Sequence, residues 1–224
     1  MPDPLSSPMS TVEPAEYLRA DEELLLQGRP LIRVAILAGR ALSIGIGQRD
    51  DAESVVRSRR MGIPVVRRST GGLGILHAPG DIAWSLILPR SDTRVGRDFS
   101  TAYGRLGSGV ARFLQEMGVA AAWRPPVGLP SEYCLLSGRG AVLTVAGRAI
   151  GGAAQHLTRR ALLHHGVLAY RVDPALLRDL FGLDPGLVTR SLTSLNEVLD
   201  AAPSADIAIR LRSVLASETA LGPV

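Results

Sequence analysis

A chain of 224 residues, 46% hydrophobic and 21% charged, is long enough for one domain with a sizeable core, and it has no uncharged apolar run of about 18 residues that would cross a membrane. The formal net charge is +4 and all 25 basic residues are arginine, which excludes a Schiff base, a lysine general base and acylation of this chain on its own lysine. Cys134 is the single cysteine, which excludes an internal disulfide and a multi-cysteine metal site and fits a cytoplasmic protein.

Residues 1–14 are rich in proline and serine and lack the basic start and apolar core of a signal peptide, so they predict a disordered lead-in to a single domain over 15–224. Glu13 to Leu26 predicts a helix with Tyr17, Leu24 and Leu25 on its apolar side. Leu31 to Leu37 and Ala41 to Ile46 predict strands around the turn Gly39-Arg40. Asp51 to Met61 predicts a helix with acids at its start and Arg59-Arg60 at its end, matching the helix dipole. Ile63 to Arg67 and Ile82 to Leu88 follow as strands. Asp98 to Met117 is the clearest helix, because Phe99, Tyr103, Leu106, Val110, Phe113, Leu114 and Met117 recur at steps of three and four before Gly118. Trp123-Arg124-Pro125-Pro126 predicts a break in regular structure. Ala141 to Val145 and Val167 to Val172 predict strands, Pro174 to Phe181 a short helix, and Ala205 to Ala216 a last amphipathic helix. Strands and helices mixed without a regular βαβ repeat predict an α+β fold, a mixed sheet flanked by helices.

Three segments carry the chemistry. In Arg67-Arg68-Ser69-Thr70-Gly71-Gly72-Leu73-Gly74-Ile75-Leu76-His77, glycines allow a ligand to approach the backbone, and two cations suit an anionic or acyl-phosphate group. The same residues taken alone also fit a hairpin turn flanked by surface arginines. Gly147-Arg148-Ala149-Ile150-Gly151-Gly152-Ala153-Ala154-Gln155 is a second glycine-rich run, and Leu163-His164-His165-Gly166-Val167-Leu168 is the third segment. Adjacent side chains on a strand point to opposite faces, so His164 and His165 do not form a metal pair and no metal site is expected. Arginines are scattered and aromatics make up 4% of the chain, which argues against a nucleic-acid groove and for an acidic partner protein.

Taken in order, the three segments resemble the lipoate-protein ligase and octanoyltransferase family of the biotin/lipoate ligase superfamily, over about Ile32 to Val198. The resemblance implies that family's catalytic-domain fold and the transfer of an octanoyl or lipoyl group to a lysine of a lipoyl domain or a glycine-cleavage H-type protein. It implies that Arg67, Arg68, Ser69, Gly71, Gly72, Gly74 and His77, with Gly151, Gly152, Ala153 and Gln155, hold the acyl group. Structural roles are the alternative for Arg67, for His77 and, less so, for Arg68. One departure stands out: the family has a lysine where this chain has Ala149. Cys134 lies thirteen residues before Gly147, a spacing similar to that of the nucleophile in cysteine-dependent octanoyltransferases. Cys134 would take the acyl group from acyl carrier protein as a thioester, with His165 or His77 lowering the thiol's hold on its proton, and no cofactor would be required. Three readings follow: this acyltransferase; an ATP- and magnesium-dependent ligase; and a non-catalytic binding homologue, which a partner chain would complete. A buried structural cysteine remains the alternative for Cys134.

Overall fold

The computed structural model describes residues 11–95, 99–137, 140–199 and 204–219. In chain order the first elements are β1 (Thr11–Val12), α1 (Pro14–Gln27), β2 (Leu31–Leu37), β3 (Ala41–Ile44), α2 (Glu53–Arg60), β4 (Val65–Arg67), β5 (Ile75–His77) and β6 (Ile82–Pro89). After them come α3 (Phe99–Glu116), β7 (Ala121–Arg124), β8 (Val142–Val145), β9 (Arg148–Leu157), β10 (Ala161–Leu168), α4 (Pro174–Phe181), α5 (Pro185–Ser191), α6 (Leu195–Leu199) and α7 (Ala205–Thr219). Asp98 and the side chain of Phe99, both part of the expected third helix, lie outside the described residues.

A seven-stranded sheet runs β1-β2-β6-β10-β9-β8-β7, and a three-stranded sheet runs β4-β3-β5. The β1/β2 and β3/β4 pairs are parallel and the other pairs antiparallel, giving the mixed sheet of an α+β fold. Strand alternation assigns the faces of the large sheet. Ile82, Trp84, Leu86 and Leu88 of β6, with Leu162 and Leu168 of β10, enter the main core under α3 and α7. There Phe113, Leu114, Leu211 and Leu215 are buried, each worth roughly 1.5–3 kcal/mol of removal from water. The intervening residues face α1: Ile87 and Leu163 pack with Leu25, and Ala83 packs with Tyr17 and Leu37. Among the described residues no helix is long and apolar enough to cross a membrane.

Three expectations change. Of the lead-in, residues 1–10 lie outside the described residues, but Thr11 and Val12 pair with Ile36 and Leu37, and Pro14 opens α1. The backbone of Thr11 and Val12 finds partners on the edge of β2, which a composition-based reading does not detect. The strand expected over Val167 to Val172 lies at Ala161–Leu168 instead. It pairs on both sides, with β6 and β9, and is buried on both faces, so it lacks the polar alternation that marks a half-buried strand. Trp123 and Arg124 do not break structure but end β7, paired with Leu143 and Val142. Tertiary pairing overrides the local signal there.

Candidate functional site

A cavity lies between the two sheets. Its apolar side comes from Tyr17 and Leu18 of α1, Leu37, Ala83 and Val167. Its polar side comes from Ser43, Arg68, His77, Cys134 and His165.

Each polar side chain has a structural reason to be there. His165 is on the α1 face of β10, opposite to His164, which stacks on Trp84 and Tyr103 and bonds Gln155 at 2.8 Å. Ser43 lies on β3, flanked by β4 and β5, so the residue after β4 (Arg68) and the last residue of β5 (His77) both reach it. Cys134 is brought in by backbone pairing: Gly74 N donates to Glu132 O and Cys134 N donates to Gly74 O, each at 2.9 Å. The Glu132 carboxylate accepts the Ser54 amide at 2.8 Å in the first turn of α2, where a negative charge suits the helix dipole. Gly72 has φ +97°, and a Cβ there would lie 2.7 Å from Arg68 Nη2 and 3.3 Å from Cys134 Sγ. A side chain at Gly72 would be strained and would sit between the cation and the sulfur.

Arg68 is 6% exposed and is the only arginine lining the cavity among the described residues. Its fork is filled by neutral acceptors: Nε to Thr70 Oγ1 at 3.2 Å, Nη1 to Ser43 O at 3.1 Å and Oγ at 3.3 Å, and Nη2 to Gly71 O and Leu73 O at 2.8 Å. Among the described residues no carboxylate pairs with it. Burial pulls its pKa down and nearby Cys134 works the other way. Guanidinium keeps its proton in proteins, so the site holds a buried, uncompensated positive charge beside a thiol.

His77 is neutral at physiological pH: burial first, then the neighbouring Arg68 and His165, push it down to about 3. Arg68 can only donate to Ser43 Oγ, so the Ser43 proton turns to His77 Nε2 at 2.8 Å. The His77 proton is then on Nδ1, which is buried without a partner among the described residues. His77 Nδ1–H is therefore the unpartnered donor of the pair, while Arg68, with all its N–H groups taken, offers a carbonyl oxygen that gains negative charge only its own charge. His165 is engaged at both ring nitrogens, Nδ1 with Asp21 Oδ2 and Nε2 with Thr70 Oγ1, both at 2.9 Å. Both ring nitrogens are thus taken, by Thr70 and by Asp21.

Of the expected site residues, the structure gathers Arg68, His77, Cys134, Gly152, Ala153 and His165 on one cavity, with Gly72 behind Arg68 and Cys134. Arg67 points elsewhere: it bonds the carbonyls of Gly45, Ile46 and Gln48 and pairs with Asp50, so it fastens a loop. Ser69, Gly71 and Gly74 do not line the cavity, although Gly71 and Gly74 hold Arg68 and Cys134 through their carbonyls. Gln155 is on the His164 face, and Gly151 abuts the Val167 carbonyl on β10. Ala149 is buried in an apolar cluster with Leu135, Val142 and Leu192, and Arg148 turns away to Glu197, so neither supplies the family lysine's charge. Asp21, Ser43 and Thr70 had not been singled out. Asp21 had one signal, its place at four-residue steps between Tyr17 and Leu25 on the buried side of α1.

Comparison with known proteins places the chain in a family. Residues 13–213 match the model of the lipoyl protein ligase A/B catalytic domain. The octanoyltransferase LipM of an Exiguobacterium strain is 32% identical over 192 residues, 78% of this chain and 68% of that protein. The LipM of Geobacillus kaustophilus is 31% identical over 183 residues, 75% of this chain and 66% of its own length. This chain thus spans about two thirds of these relatives. A lipoate-protein ligase A bound with ATP superposes with TM-score 0.70 at 20% identity, over 94% of this chain and 83% of that one. A bi-partite lipoate protein ligase from Thermoplasma acidophilum, solved in work that includes its E2 lipoyl domain, superposes with TM-score 0.70 at 19% identity, over 95% and 82%. At such identities these two structures establish the fold alone. The match over most of the chain and the 32% identity do more, and this chain belongs to the lipoyl protein ligase A/B catalytic-domain family.

Proposed function

We propose that this chain is a cysteine-dependent acyltransferase of lipoate metabolism. It moves an octanoyl or lipoyl group from the thioester of acyl carrier protein to Cys134, and then to a lysine of a lipoyl domain or a glycine-cleavage H-type protein. The observation that carries this reading is the sulfur of Cys134 beside the uncompensated Arg68 cation on an apolar cavity. The relatives named octanoyltransferase support the transfer, and the T. acidophilum ligase studied with its lipoyl domain supports the acceptor class.

The Cys134 thiolate attacks the donor's carbonyl carbon. A new C–S bond forms, the carrier's C–S bond breaks, and the carrier thiolate leaves and takes a proton from water. The charge of Arg68 and the unpartnered Nδ1–H of His77, both residues of the cavity wall, would favour the oxygen that gains charge. The acceptor's neutral amine then attacks the Cys134 thioester. The amide C–N bond forms, the C–S bond breaks, the amine's proton passes to water, and the thiolate is restored. No nucleotide is consumed, so ATP and magnesium are not required. An apolar Ala149 in the lysine position weighs against the adenylating alternative, and Cys134 at the cavity weighs against a purely binding homologue.

Incubation with octanoyl carrier protein should give a hydroxylamine-labile mass adduct on Cys134. Cys134→Ser should form no thioester and show no turnover while melting as the parent does. A parent that never forms the adduct but still binds a lipoyl domain would return the chain to the binding reading.

A further inference from the structure

Asp21 is buried at 1% exposure beneath the cavity, and no step of the transfer touches it. The hydrogen bonds leading from it to Arg68 run in one direction. Arg68 Nε only donates, and Thr70 Oγ1 accepts it at 3.2 Å. Thr70 is buried, and its hydroxyl proton has one acceptor among the described residues, His165 Nε2 at 2.9 Å. The ring proton is then on Nδ1, which donates to Asp21 Oδ2 at 2.9 Å. Ser85 Oγ donates to the same carboxylate at 2.7 Å, and Arg33 Nη1 pairs with Asp21 Oδ1 at 2.6 Å. Every donor and acceptor is matched from the outer Arg33 to the inner Arg68.

We propose that Asp21, His165 and Thr70 are positioning residues for the chemistry of Cys134: their directed hydrogen bonds anchor the Nε edge of the Arg68 guanidinium and so fix its Nη2 edge beside Gly72 and the sulfur. This rests on the reading of Cys134 as the nucleophile. Ser43 and the carbonyls of Gly71 and Leu73 hold the other two corners of the planar fork, so the Thr70 contact supplies its third anchor. Among the described residues, Arg68, Tyr103 and Tyr133 act on Cys134, and His77 and His165 line the same cavity; of these, Arg68 and His165 belong to the chain of bonds.

Asp21→Asn tests the direction while keeping the shape. Arg33 holds the amide oxygen in place of Oδ1, so the NH₂ faces His165 Nδ1 and moves the ring proton to Nε2. Two donors then meet Thr70 Oγ1, and its own proton loses its acceptor. A carboxylate-to-amide change is known to upset a histidine in this way without moving it. Thr70→Val removes the anchor outright and Thr70→Ser restores it. The readout is alkylation of Cys134 by the neutral reagent iodoacetamide across pH, in the full chain without any acyl donor. At pH 7 we expect Asp21→Asn and Thr70→Val to slow alkylation about tenfold, the rate equivalent of one weak charge-assisted hydrogen bond. Thr70→Ser should match the parent, the double variant should lose no more than either single one, and all curves should converge at high pH. A purely structural role would lower the thermal midpoint without moving the pH profile. Parent-like profiles in both variants, or additive losses, would overturn the proposal; if Asp21→Asn does not fold, the Thr70 pair decides it. A chain of bonds that passes this test in a protein that forms no octanoyl thioester would sink the transferase reading alone.

Discussion

Arg68→Gln should silence the thiol while sparing the fold. The two contacts to the Cβ position of Gly72 put the guanidinium and the sulfur within about 6 Å of each other. At an effective dielectric of about 20, one full charge on each at that separation attracts by about 3 kcal/mol. Loss of this attraction should slow labelling of Cys134 at neutral pH by about tenfold or more. The fold has less at stake. Glutamine keeps an NH₂ for Gly71 O or Leu73 O, and its neutrality removes a buried charge that no carboxylate offsets. Iodoacetamide labelling of Cys134 at pH 7, followed by mass spectrometry on protein whose circular dichroism matches the parent, measures the effect. Rates should converge at pH values where any thiol is ionised, and Arg68→Lys should recover part of the loss. Equal labelling of parent and Arg68→Gln from pH 6 to 10 would refute the electrostatic account.

Acid should destabilise the protein through His77 and His164, both held at about 3 chiefly by burial. The unfolded chain takes up their protons below about pH 6.5 and the folded one does not, so their stabilisation is present above that pH and is lost towards pH 3, by roughly 2 kcal/mol each from pH 7 to 5. Asp81 acts in the opposite sense: burial raises its carboxyl to about 7, so its contribution is present below about pH 4 and is lost as pH rises through 7. Urea unfolding at several pH values should therefore show Asp81→Asn losing stability more steeply than the parent from pH 7 to 5, and parallel curves would contradict this. Gly72→Ala should lower stability by about 1–3 kcal/mol from its positive φ and should depress Cys134 thioester formation further by displacing Arg68, as read by calorimetry and intact mass. Ala149→Lys should bury an ammonium among Val142, Leu135 and Leu192, lowering the thermal midpoint by several degrees without creating lipoate-dependent pyrophosphate exchange. Appearance of robust exchange in either the parent or this variant would favour the ligase reading.

Legibility from sequence followed the range of the interaction. The glycine runs and the opposite facing of His164 and His165 were readable because strand alternation is local. So was α4, with Asp173 accepting the Leu176 amide and Pro174 in the first turn. Arg67 and Arg68 are neighbours in one motif, and what separates them is the end of β4, which turns one guanidinium to Asp50 and the other to Ser43. Asp21 was hidden because its neighbours Arg19, Glu22 and Glu23 make it look like part of a solvated face, while its partners His165 and Ser85 lie 144 and 64 residues away. β10 was misplaced because a strand buried on both sides has no polar rhythm to mark its ends.

Among the described residues, no side chain of the cavity wall is free to act as a general base, and this constrains how the proposed transfer would work. A guanidinium does not give up its proton at accessible pH, so Arg68 acts as a fixed charge. His77, at about 3, is too weak a base, and its Nε2 lone pair is committed to Ser43. His165 has both nitrogens engaged. Tyr103 and Tyr133 are pushed upward, first by burial, and remain phenols. In the proposed transfer the thiol would therefore be activated by a neighbouring charge and give its proton to water, and the acceptor lysine would have to arrive neutral or lose its proton to solvent. Base-assisted transfer would level off above the base's pKa, whereas this arrangement makes the aminolysis step climb with pH through the titration of the acceptor's own amine. In single-turnover transfer from preformed Cys134 thioester, the midpoint should then move when the acceptor lysine's pKa is changed, and should stay put in His77→Gln and in Asp21→Asn. A midpoint that follows His77 or His165 instead would mean that a histidine of the wall leaves its present partners and takes the proton.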